Sequence, residues 1–250
     1  QFGVLIKRTR TIKALKKTGR YMACISFMDS ANVANILSGN KYCKCICSVR
    51  TSLSKAARLP QYKYVVNPLV KLLYNKADKV VAVSRGVRQE LIDIFKIKEN
   101  KVVAIENGYN IPEIVRQASE QPPQEFVDTI RGHKVVVTAG RLTLPKGHWH
   151  LIRAFSQVVK KIPEALLVII GEGDHREYLE SLIKAYHLEK NVILAGHTTN
   201  PFMYERYADV YAMPSIYEGF PNALAEAMCL GLPCVSTDFE NGAREIMDPD

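Results

Sequence analysis

The chain lacks several features that would place a protein in a familiar class at once. Its 250 residues include one tryptophan, Trp149, and no apolar run approaches the ~20 residues that a membrane-spanning helix requires. A single tryptophan offers no stacking platform for bases, and the usual nucleic-acid recognition motifs are absent. The first residues do not form a signal peptide. The sequence therefore predicts a soluble globular protein that does not bind nucleic acid.

Acidic residues are scarce in the first 100 positions, where 5 Asp and Glu stand against 20 Lys and Arg, a net charge of +15. The other 150 residues hold 20 acidic and 14 basic residues, a net charge of −6, which gives +9 for the whole chain. This asymmetry indicates that the N-terminal part faces an anionic partner. An anionic membrane surface fits, with residues 8–20 held by surface attraction rather than by insertion. A solvated basic helix without a partner is the alternative.

The six cysteines include three at alternating positions, Cys43, Cys45 and Cys47. On a strand these side chains point to the same side, about 6.6 Å apart at successive positions. Zinc ligands usually stand further apart in sequence and have a second cluster elsewhere. We therefore interpret the three as buried, reduced thiols of a cytosolic protein and expect no metal site.

Short β-rich runs alternate with helical stretches, the pattern of parallel βαβ architecture. The predicted strands span residues 21–27, 43–49, 79–83, 101–105, 134–139, 165–170, 191–195, 210–213 and 234–236. The clearest predicted helices span residues 87–95, 149–161, 176–186 and 223–230. Residues 110–132 are polar, proline-containing and weakly periodic, as in a connection between domains. The sequence predicts two doubly wound α/β domains, residues 1–115 and 133–250, joined by a linker at residues 116–132.

The most informative stretch runs from an apolar strand, residues 208–213, through the loop P-S-I-Y-E-G-F-P to a helix at residues 222–230. Free N–H groups and the dipole of the helix N-terminus, with Asn222 as the predicted N-cap, favour an anion such as phosphate. Glu218 and Glu226 bracket the glycine loop, and a carboxylate accepts hydrogen bonds from both hydroxyls of a vicinal diol. Phosphate and diol together describe a nucleotide sugar. A purely structural strand–loop–helix connection is the alternative for this stretch alone.

Other predicted strands also end in small, basic or polar residues. An arginine and a lysine, Arg141 and Lys146, follow the strand at residues 134–139 and are the usual complement of a diphosphate. The two strands after it deliver the sequences G-E-G and G-H. A tight strand-to-helix turn also explains the G-E-G sequence by itself. Because carboxyl ends of parallel strands meet at one edge of a sheet, these strand ends predict a single ligand site.

The motifs A-G-R-L-T-L-P-K-G-H, I-I-G-E-G, L-A-G-H and P-S-I-Y-E-G-F-P-N-A-L-A-E-A-M-C-L-G-L-P-C-V together resemble glycosyltransferase family 4. The sequences V-V-A-V-S-R-G-V and I-E-N-G-Y-N match the late part of the family's N-terminal domain, so the resemblance covers essentially the whole chain. It implies a GT-B fold of two Rossmann-like domains. The family's first strand and glycine-rich loop are not matched, and the family continues beyond the last residues, so the chain is expected to be truncated at both ends.

The resemblance implies a retaining transferase that moves a hexose or N-acetylhexosamine from a nucleotide sugar to a glycan or lipid-linked acceptor. UDP-sugars are the favoured donors, and the implied pathway is cell-surface polysaccharide biosynthesis. The implied location is the cytoplasm, peripheral to the inner face of the membrane. No metal and no cofactor are implied. Two alternatives stay open: a GT-B enzyme of another kind, such as a nucleotide-sugar epimerase or a phosphorylase, and a binding-only fragment that keeps the donor site without catalysis.

The resemblance also assigns residues to roles. The implied catalytic residues hold the diphosphate, stabilise the leaving group or contact the donor sugar, and they are Arg141, Lys146 and Glu218. The implied donor-binding residues are Gly140, Gly171, Glu172, Gly196, His197, Gly219, Phe220, Pro221, Asn222 and Glu226, the last at the ribose hydroxyls. Many family members carry a histidine after the strand that corresponds to residues 21–27. In this chain the candidates for the acceptor side at that place are Asp29, Ser30 and Asn32.

Overall fold

The structure is a computed structural model that describes residues 2–239 and 242–247. The described chain divides into two compact units, each built on a parallel sheet. The first unit holds residues 2–107, 218–220 and 242–247, and the second holds residues 108–217 and 221–239. Two units of parallel strands alternating with helices confirm the predicted α/β class and its two Rossmann-like domains.

The first unit has a four-stranded sheet in the order β1-β2-β3-β4, with every neighbouring pair parallel. Its strands are β1 Ala23–Phe27, β2 Lys44–Val49, β3 Lys79–Ala82 and β4 Val102–Ala104. Its helices before residue 108 are α1 Phe2–Lys17, α2 Asp29–Leu37, α3 Leu53–Ala56, α4 Asn67–Leu73 and α5 Arg85–Asp93. A π-helical turn, Tyr62–Val66, precedes α4 directly.

The second unit has a five-stranded parallel sheet in the order β7-β6-β5-β8-β9. Its strands are β5 Lys134–Ala139, β6 Ala165–Ile170, β7 Val192–Gly196, β8 Val210–Met213 and β9 Cys234–Ser236. Its helices are α6 Ile111–Ala118, α7 Gln124–Ile130, α8 His148–Val159, α9 Arg176–Ala185, α10 Phe202–Glu205 and α11 Asn222–Cys229. The last described helix, α12 Ala243–Met247, belongs to the first unit.

The order of the second sheet creates a topological switch point. Strand β5 pairs with β6 on one side and with β8 on the other, so the chain winds outward in both directions from β5. All six residues of β6, A-L-L-V-I-I, are buried, as expected for a central parallel strand with helices on both faces. Ligands of open α/β sheets bind where the strand order reverses. The carboxyl ends of β5 and β8 are therefore the place to look for a site.

All nine predicted strands are present, and four of them, β5, β6, β8 and β9, have the predicted bounds. Cys43, directly before β2, and Cys45 and Cys47, on β2, all lie in the interior, each at most 7% exposed. The six cysteines are free, and no group of three or more metal-binding side chains occurs among the described residues. Within the same residues, no helix combines the length and the apolarity needed to cross a membrane.

The segment predicted as a linker, residues 116–132, differs in the structure. It holds the end of α6 and all of α7, and the boundary between the units falls between Asn107 and Gly108. Helix α6 begins after Asn110, whose side chain accepts a hydrogen bond from the Glu113 N–H at 3.3 Å. Pro112 lies in the first helical turn, where the missing N–H costs nothing. The prolines that suggested a loop therefore mark a helix start, and α6 packs on α10 and α11 of the second unit.

Candidate functional site

The carboxyl ends of β5, β6 and β7 are joined by backbone hydrogen bonds that continue beyond the strands. The Gly140 N–H donates to the Ile170 carbonyl at 2.9 Å, and the Gly171 N–H donates to the Gly196 carbonyl at 2.8 Å. The Leu142 N–H donates to the Glu172 carbonyl at 2.9 Å. The three loops therefore form one continuous edge, and they bring together Gly140, Arg141, Gly171, Glu172, Gly196 and His197.

Close backbone approach at this edge requires glycine at several positions, among them Gly171 and Gly147. Gly171 has φ of 141°, and a β-carbon there would overlap the carbonyl oxygen of Gly140. Gly147 has a left-handed φ of 65°, and a β-carbon there would overlap the carbonyl oxygen of Pro214. The Ile216 N–H also donates to the Pro145 carbonyl at 2.8 Å. The loops after β5 and β8 are thus fixed side by side at the switch point.

Lys146 and His148 lie over Gly140 at the N-terminus of α8. A β-carbon on Gly140 would be 3.5 Å from Lys146 Cδ and 3.9 Å from His148 Cε1. Arg141, on the same loop, is exposed. We call Gly140, Arg141, Lys146, His148 and Gly171 the switch-point cluster. It combines two cationic side chains with the N-terminus of a 12-residue helix, which is the arrangement that binds phosphate groups.

His148 was not singled out from the sequence. Its side chain is only 2% exposed, and its Nδ1 has no hydrogen-bond partner. Burial, and then the positive charges of Lys146 and His175, lower the pKa of His148 to about 4. The ring is therefore neutral near pH 7. The only sequence signal was its place directly after the glycine that begins α8.

The side of the cluster toward β7 is arranged around Glu172. Arg176 Nη1, in the first turn of α9, forms an ion pair with Glu172 Oε1 at 2.5 Å. A β-carbon on Gly196 would lie 3.4 Å from the same oxygen, so the Glu172 side chain covers Gly196. His197, the next residue, is exposed. The loops after β6 and β7 therefore present backbone groups, the Glu172 carboxylate and the His197 imidazole beside the switch-point cluster.

Helix α11 follows β8 and carries the second predicted carboxylate, Glu226, one turn from its start. The predicted N-cap role of Asn222 is wrong: Pro221 occupies that position and Asn222 is the first helical residue. The Asn222 side chain instead accepts a hydrogen bond from the Tyr109 hydroxyl at 2.9 Å, which a local sequence pattern does not reveal. Glu226 is half-buried, and burial raises the pKa of its carboxyl.

A second buried carboxyl, Glu205 on α10, lies near Glu226. Glu205 is 1% exposed and its Oε2 has no hydrogen-bond partner. Burial, and then the charge of Glu226, raise its pKa to about 8. Tyr211 of β8 is fully buried, and its pKa is also raised. Burial is the largest cause, followed by the charge of Glu205 and then by that of Glu226. Nothing in the sequence P-F-M-Y-E-R-Y distinguishes this glutamate from a surface residue of a short amphipathic helix.

The predicted donor-loop residues Glu218, Gly219 and Phe220 belong to the first unit, whereas Pro221, Asn222 and Glu226 belong to the second. Gly219 is buried against the backbone of Arg50, whose carbonyl oxygen a β-carbon would overlap. Phe220 is 8% exposed. The structure therefore groups these three residues with the first sheet and not with the switch-point cluster of the second.

The three acceptor-side candidates follow β1 and differ in how deeply their side chains are buried. The residue before them, Met28, has φ of 72°, a left-handed conformation that non-glycine residues adopt rarely. Asp29 is half-buried, burial raises its carboxyl pKa, and a hydrogen bond with Tyr62 opposes that rise. Ser30 is exposed and accepts a hydrogen bond from Arg8 at 3.3 Å.

Asn32 does not reach a surface, and its prediction as an acceptor contact does not fit the structure. It is fully buried, and its amide donates to the Ser48 carbonyl at 2.9 Å and to the Tyr74 hydroxyl at 3.2 Å. Its side-chain oxygen accepts from the Ser26 hydroxyl at 2.8 Å. A buried amide with these partners holds α2 against the first sheet.

Two Rossmann-like units built on parallel sheets are the architecture of the GT-B glycosyltransferase fold. Comparison with known families agrees with this class. Residues 121–250 match the family described as Glycosyl transferases group 1, and residues 26–112 match the one described as Glycosyltransferase Family 4. The chain belongs to the Glycosyl transferases group 1 family, and the resemblance inferred from its motifs is confirmed.

Relatives among curated proteins are also glycosyltransferases. One is an uncharacterised glycosyltransferase of Methanocaldococcus jannaschii, 30% identical over 98% of this chain and 63% of its own length. Another, from Campylobacter jejuni, is an N-acetylgalactosamine-N,N'-diacetylbacillosaminyl-diphospho-undecaprenol 4-alpha-N-acetylgalactosaminyltransferase. It is 34% identical over 73% of this chain and 47% of its own. The chain thus spans about half to two thirds of the length of these relatives.

Solved structures share the fold at low sequence identity. Anabaena HepE in complex with UDP matches 94% of this chain and 64% of its own with a TM-score of 0.75 at 20% identity. The glycosyltransferase from Rickettsia africae matches 99% of this chain and 65% of its own with the same TM-score and identity. At this level of identity the comparison supports the fold and not the substrate.

Proposed function

We propose that the chain is a retaining glycosyltransferase that moves a hexose or N-acetylhexosamine from a UDP-sugar to a glycan or lipid-linked acceptor. The pathway would be the synthesis of a cell-surface polysaccharide. The observation that carries the proposal is the switch-point cluster, where Lys146, a neutral His148 and the first turn of α8 lie together. The names of relatives agree with it, since one acts on a diphospho-undecaprenol acceptor and a solved neighbour binds UDP.

In the proposed reaction the cluster holds the diphosphate of the donor. As the bond between the sugar and the phosphate breaks, negative charge gathers on the diphosphate, and Arg141, Lys146 and the α8 amides stabilise it. The acceptor hydroxyl attacks the same face of the sugar, and its proton passes to the departing phosphate oxygen. We also assign the diphosphate a hydrogen bond from His148 Nδ1, a buried nitrogen that has no partner within the chain. The proposed step requires neither a metal ion nor a cofactor.

The remaining predicted residues take the other parts of the donor. Glu226 accepts hydrogen bonds from the ribose hydroxyls. The base lies along the loops after β6 and β7, beside Gly171, Glu172, Gly196 and His197. The sugar contacts the segment Glu218, Gly219, Phe220 and Pro221, with Glu218 as the polar contact. Asp29 and Ser30 serve the acceptor, and an anionic membrane surface at the cytoplasmic face is the proposed further partner.

The experiment that tests the proposal measures donor binding and turnover on one preparation. Thermal shift with a panel of UDP- and GDP-sugars selects a donor, and UDP or GDP release is then followed with and without lipid-linked acceptors. Donor stabilisation with release that depends on an acceptor is the expected result. Nucleotide-sugar binding without release overturns the enzyme assignment in favour of a binding-only protein, and an isomerised donor without acceptor indicates an epimerase. The variant Lys146→Ala, which removes a base of the switch-point cluster, is measured in the same assays. Its control is Lys190→Ala, which removes an exposed lysine just before β7.

A further inference from the structure

The first part of the chain is nearly free of negative charge. Between residues 1 and 77 the only acidic residue is Asp29, and from residue 30 to residue 77 there is none. The same 48 residues carry eight basic ones, Lys41, Lys44, Arg50, Lys55, Arg58, Lys63, Lys71 and Lys76. Lys44 is paired with Asp78 at 3.6 Å, but the excess of basic over acidic residues still gives this region a positive field, which attracts an anionic surface.

One helical segment of this region is also apolar on its exposed side. Residues 60–73 form a continuous helical run made of the π-helical turn Tyr62–Val66 and α4. Tyr64 is 69% exposed, Val65 55% and Leu72 68%, and Leu59, just before the run, is 43% exposed. Val70 and Leu73 of the same run are buried and anchor it to the first unit. The exposed apolar residues are therefore on a fixed element, not on a loose loop.

Three exposed apolar residues share one side of the helix. Val65, Pro68 and Leu72 are spaced by three and four residues, which places them above one another, and all three are exposed. Exposed apolar residues that are scattered singly need no explanation, but a row of them rimmed by polar groups marks an interaction surface. The rim here consists of the exposed bases Arg58, Lys63 and Lys71.

We propose that this surface, defined by Leu59, Tyr64, Val65, Leu72 and the rim bases Arg58, Lys63 and Lys71, docks on an anionic phospholipid bilayer. The apolar residues enter the boundary between headgroups and acyl chains, and the bases contact lipid phosphates. The proposal rests on the proposed function, because docking would hold the chain where a lipid-linked acceptor is presented. It names a surface other than the basic segment at residues 8–20.

The chemistry of the surface selects a bilayer over other anionic partners. A membrane interface offers apolar material beneath a layer of negative charge, and an interfacial helix matches it with apolar residues on one side and bases on the other. Tyrosine is enriched at that depth because its ring is apolar and its hydroxyl is polar. Lys63 Nζ lies 5.2 Å from the Tyr64 ring centroid, so the base and the ring present themselves together.

The test compares vesicle binding of variants of the full chain that change exposed residues only. Vesicles of phosphatidylcholine mixed with phosphatidylglycerol are sedimented with the protein at low and high salt, against pure phosphatidylcholine. Arg58→Ser with Lys63→Ser should lower the partition coefficient about thirty-fold, and Tyr64→Ser with Leu72→Ser should lower it about ten-fold or more. Lys161→Ser with Lys190→Ser, which removes two exposed bases of the second unit, should leave it nearly unchanged. Circular dichroism confirms folding.

Leu72→Trp provides an independent readout. Trp149, in the second unit, is the only tryptophan of the parent chain, so with selective tryptophan excitation a blue-shifted component that appears with anionic vesicles reports insertion at residue 72. One outcome would assign vesicle binding to α1 and overturn the proposal. In that outcome the double variant Lys7→Ser with Arg10→Ser loses binding, whereas Tyr64→Ser with Leu72→Ser keeps it. Binding to neither vesicle also overturns it. Donor turnover is measured separately without vesicles, so a protein that turns over donor but ignores vesicles contradicts the docking surface alone.

Discussion

The buried carboxyl of Glu205 makes a quantitative prediction about stability and pH. Its pKa is raised from an ordinary 4.5 to about 8, chiefly by burial and secondarily by the charge of Glu226. Since one pKa unit corresponds to about 1.4 kcal/mol, ionising Glu205 in the folded chain costs about 5 kcal/mol more than in the unfolded chain. Glu205→Gln keeps the shape of the side chain and removes the ionisation. The variant should therefore lose this part of the pH dependence.

The sign follows from proton binding in the two states. Below pH 4.5 Glu205 is protonated both folded and unfolded, so the wild-type chain has its full stability there. Between pH 4.5 and about 8 the unfolded chain has lost the proton while the folded chain keeps it, so the free energy of unfolding falls as pH rises. From pH 6 to pH 9 the wild type should lose about 3 kcal/mol relative to Glu205→Gln. That difference corresponds to about 6–12 °C in the melting temperature of a unit of this size.

The assay is thermal melting of both proteins from pH 6 to pH 9, followed in the transition of the second unit. The difference in Tm between variant and wild type should grow with pH, and taking a difference cancels any constant effect of the glutamine amide. Glu164→Gln, which changes an exposed carboxylate before β6, is the control and should show a constant difference. A difference for Glu205→Gln that does not change with pH would refute the reasoning, because it would mean that Glu205 ionises as easily folded as unfolded.

Substitutions at the candidate site have distinct expected effects. Glu226→Ala should weaken nucleotide-sugar binding by about 1.5–3 kcal/mol through lost hydrogen bonds to a charged group; calorimetry checks this, and unchanged affinity in a folded variant excludes the ribose role. Arg141→Ala and Lys146→Ala should lower turnover about 10²–10³-fold and change the donor Kd less, because their charges meet a phosphate that becomes more negative in the transition state; equal losses in kcat and affinity would indicate ground-state binding only. Gly171→Ala should lower the Tm more than Gly132→Ala, because both positions have positive φ but only Gly171 would overlap a carbonyl oxygen, and equal shifts would contradict the close approach of the two loops.

The parts of the fold that sequence predicts are those decided by buried strands. Strand β6 is a run of six apolar residues bounded by a proline–glutamate turn and a glycine, so its bounds follow from composition alone. Once the strands are parallel, the carboxyl ends of β5 and β8 must meet at one edge, and the basic and glycine residues that follow them are brought together without any knowledge of side-chain contacts.

The parts that sequence does not predict depend on contacts between distant residues. Pro112 stands in a polar segment and indicates a loop, but packing of α6 on α10 and α11 makes that segment helical. Asn222 has the residue type of an N-cap, yet the hydroxyl of Tyr109, 113 residues away, takes its side chain. Asn32 is polar and follows a strand, yet three partners from other elements hold it in the interior. In each case tertiary packing overrides a valid local preference.

Glu205 and Glu226 are two partly or fully buried carboxyls with different electrostatic surroundings. Burial, and then the charge of Glu226, raise the pKa of Glu205 to about 8, whereas burial alone raises the pKa of Glu226, so a charged Glu226 disfavours ionisation of Glu205. Environments that separate the pKa values of two carboxyls allow one of them to act ionised and the other neutral. An ionised Glu226 can accept hydrogen bonds from a ribose diol, while a neutral Glu205 beside it adds no repulsion. Donor affinity should therefore fall with Glu205→Asp, which moves the carboxyl by one methylene, more than with Glu205→Gln, which keeps both its position and its neutrality. The opposite order in isothermal titration at pH 7 would show that Glu205 acts by its charge.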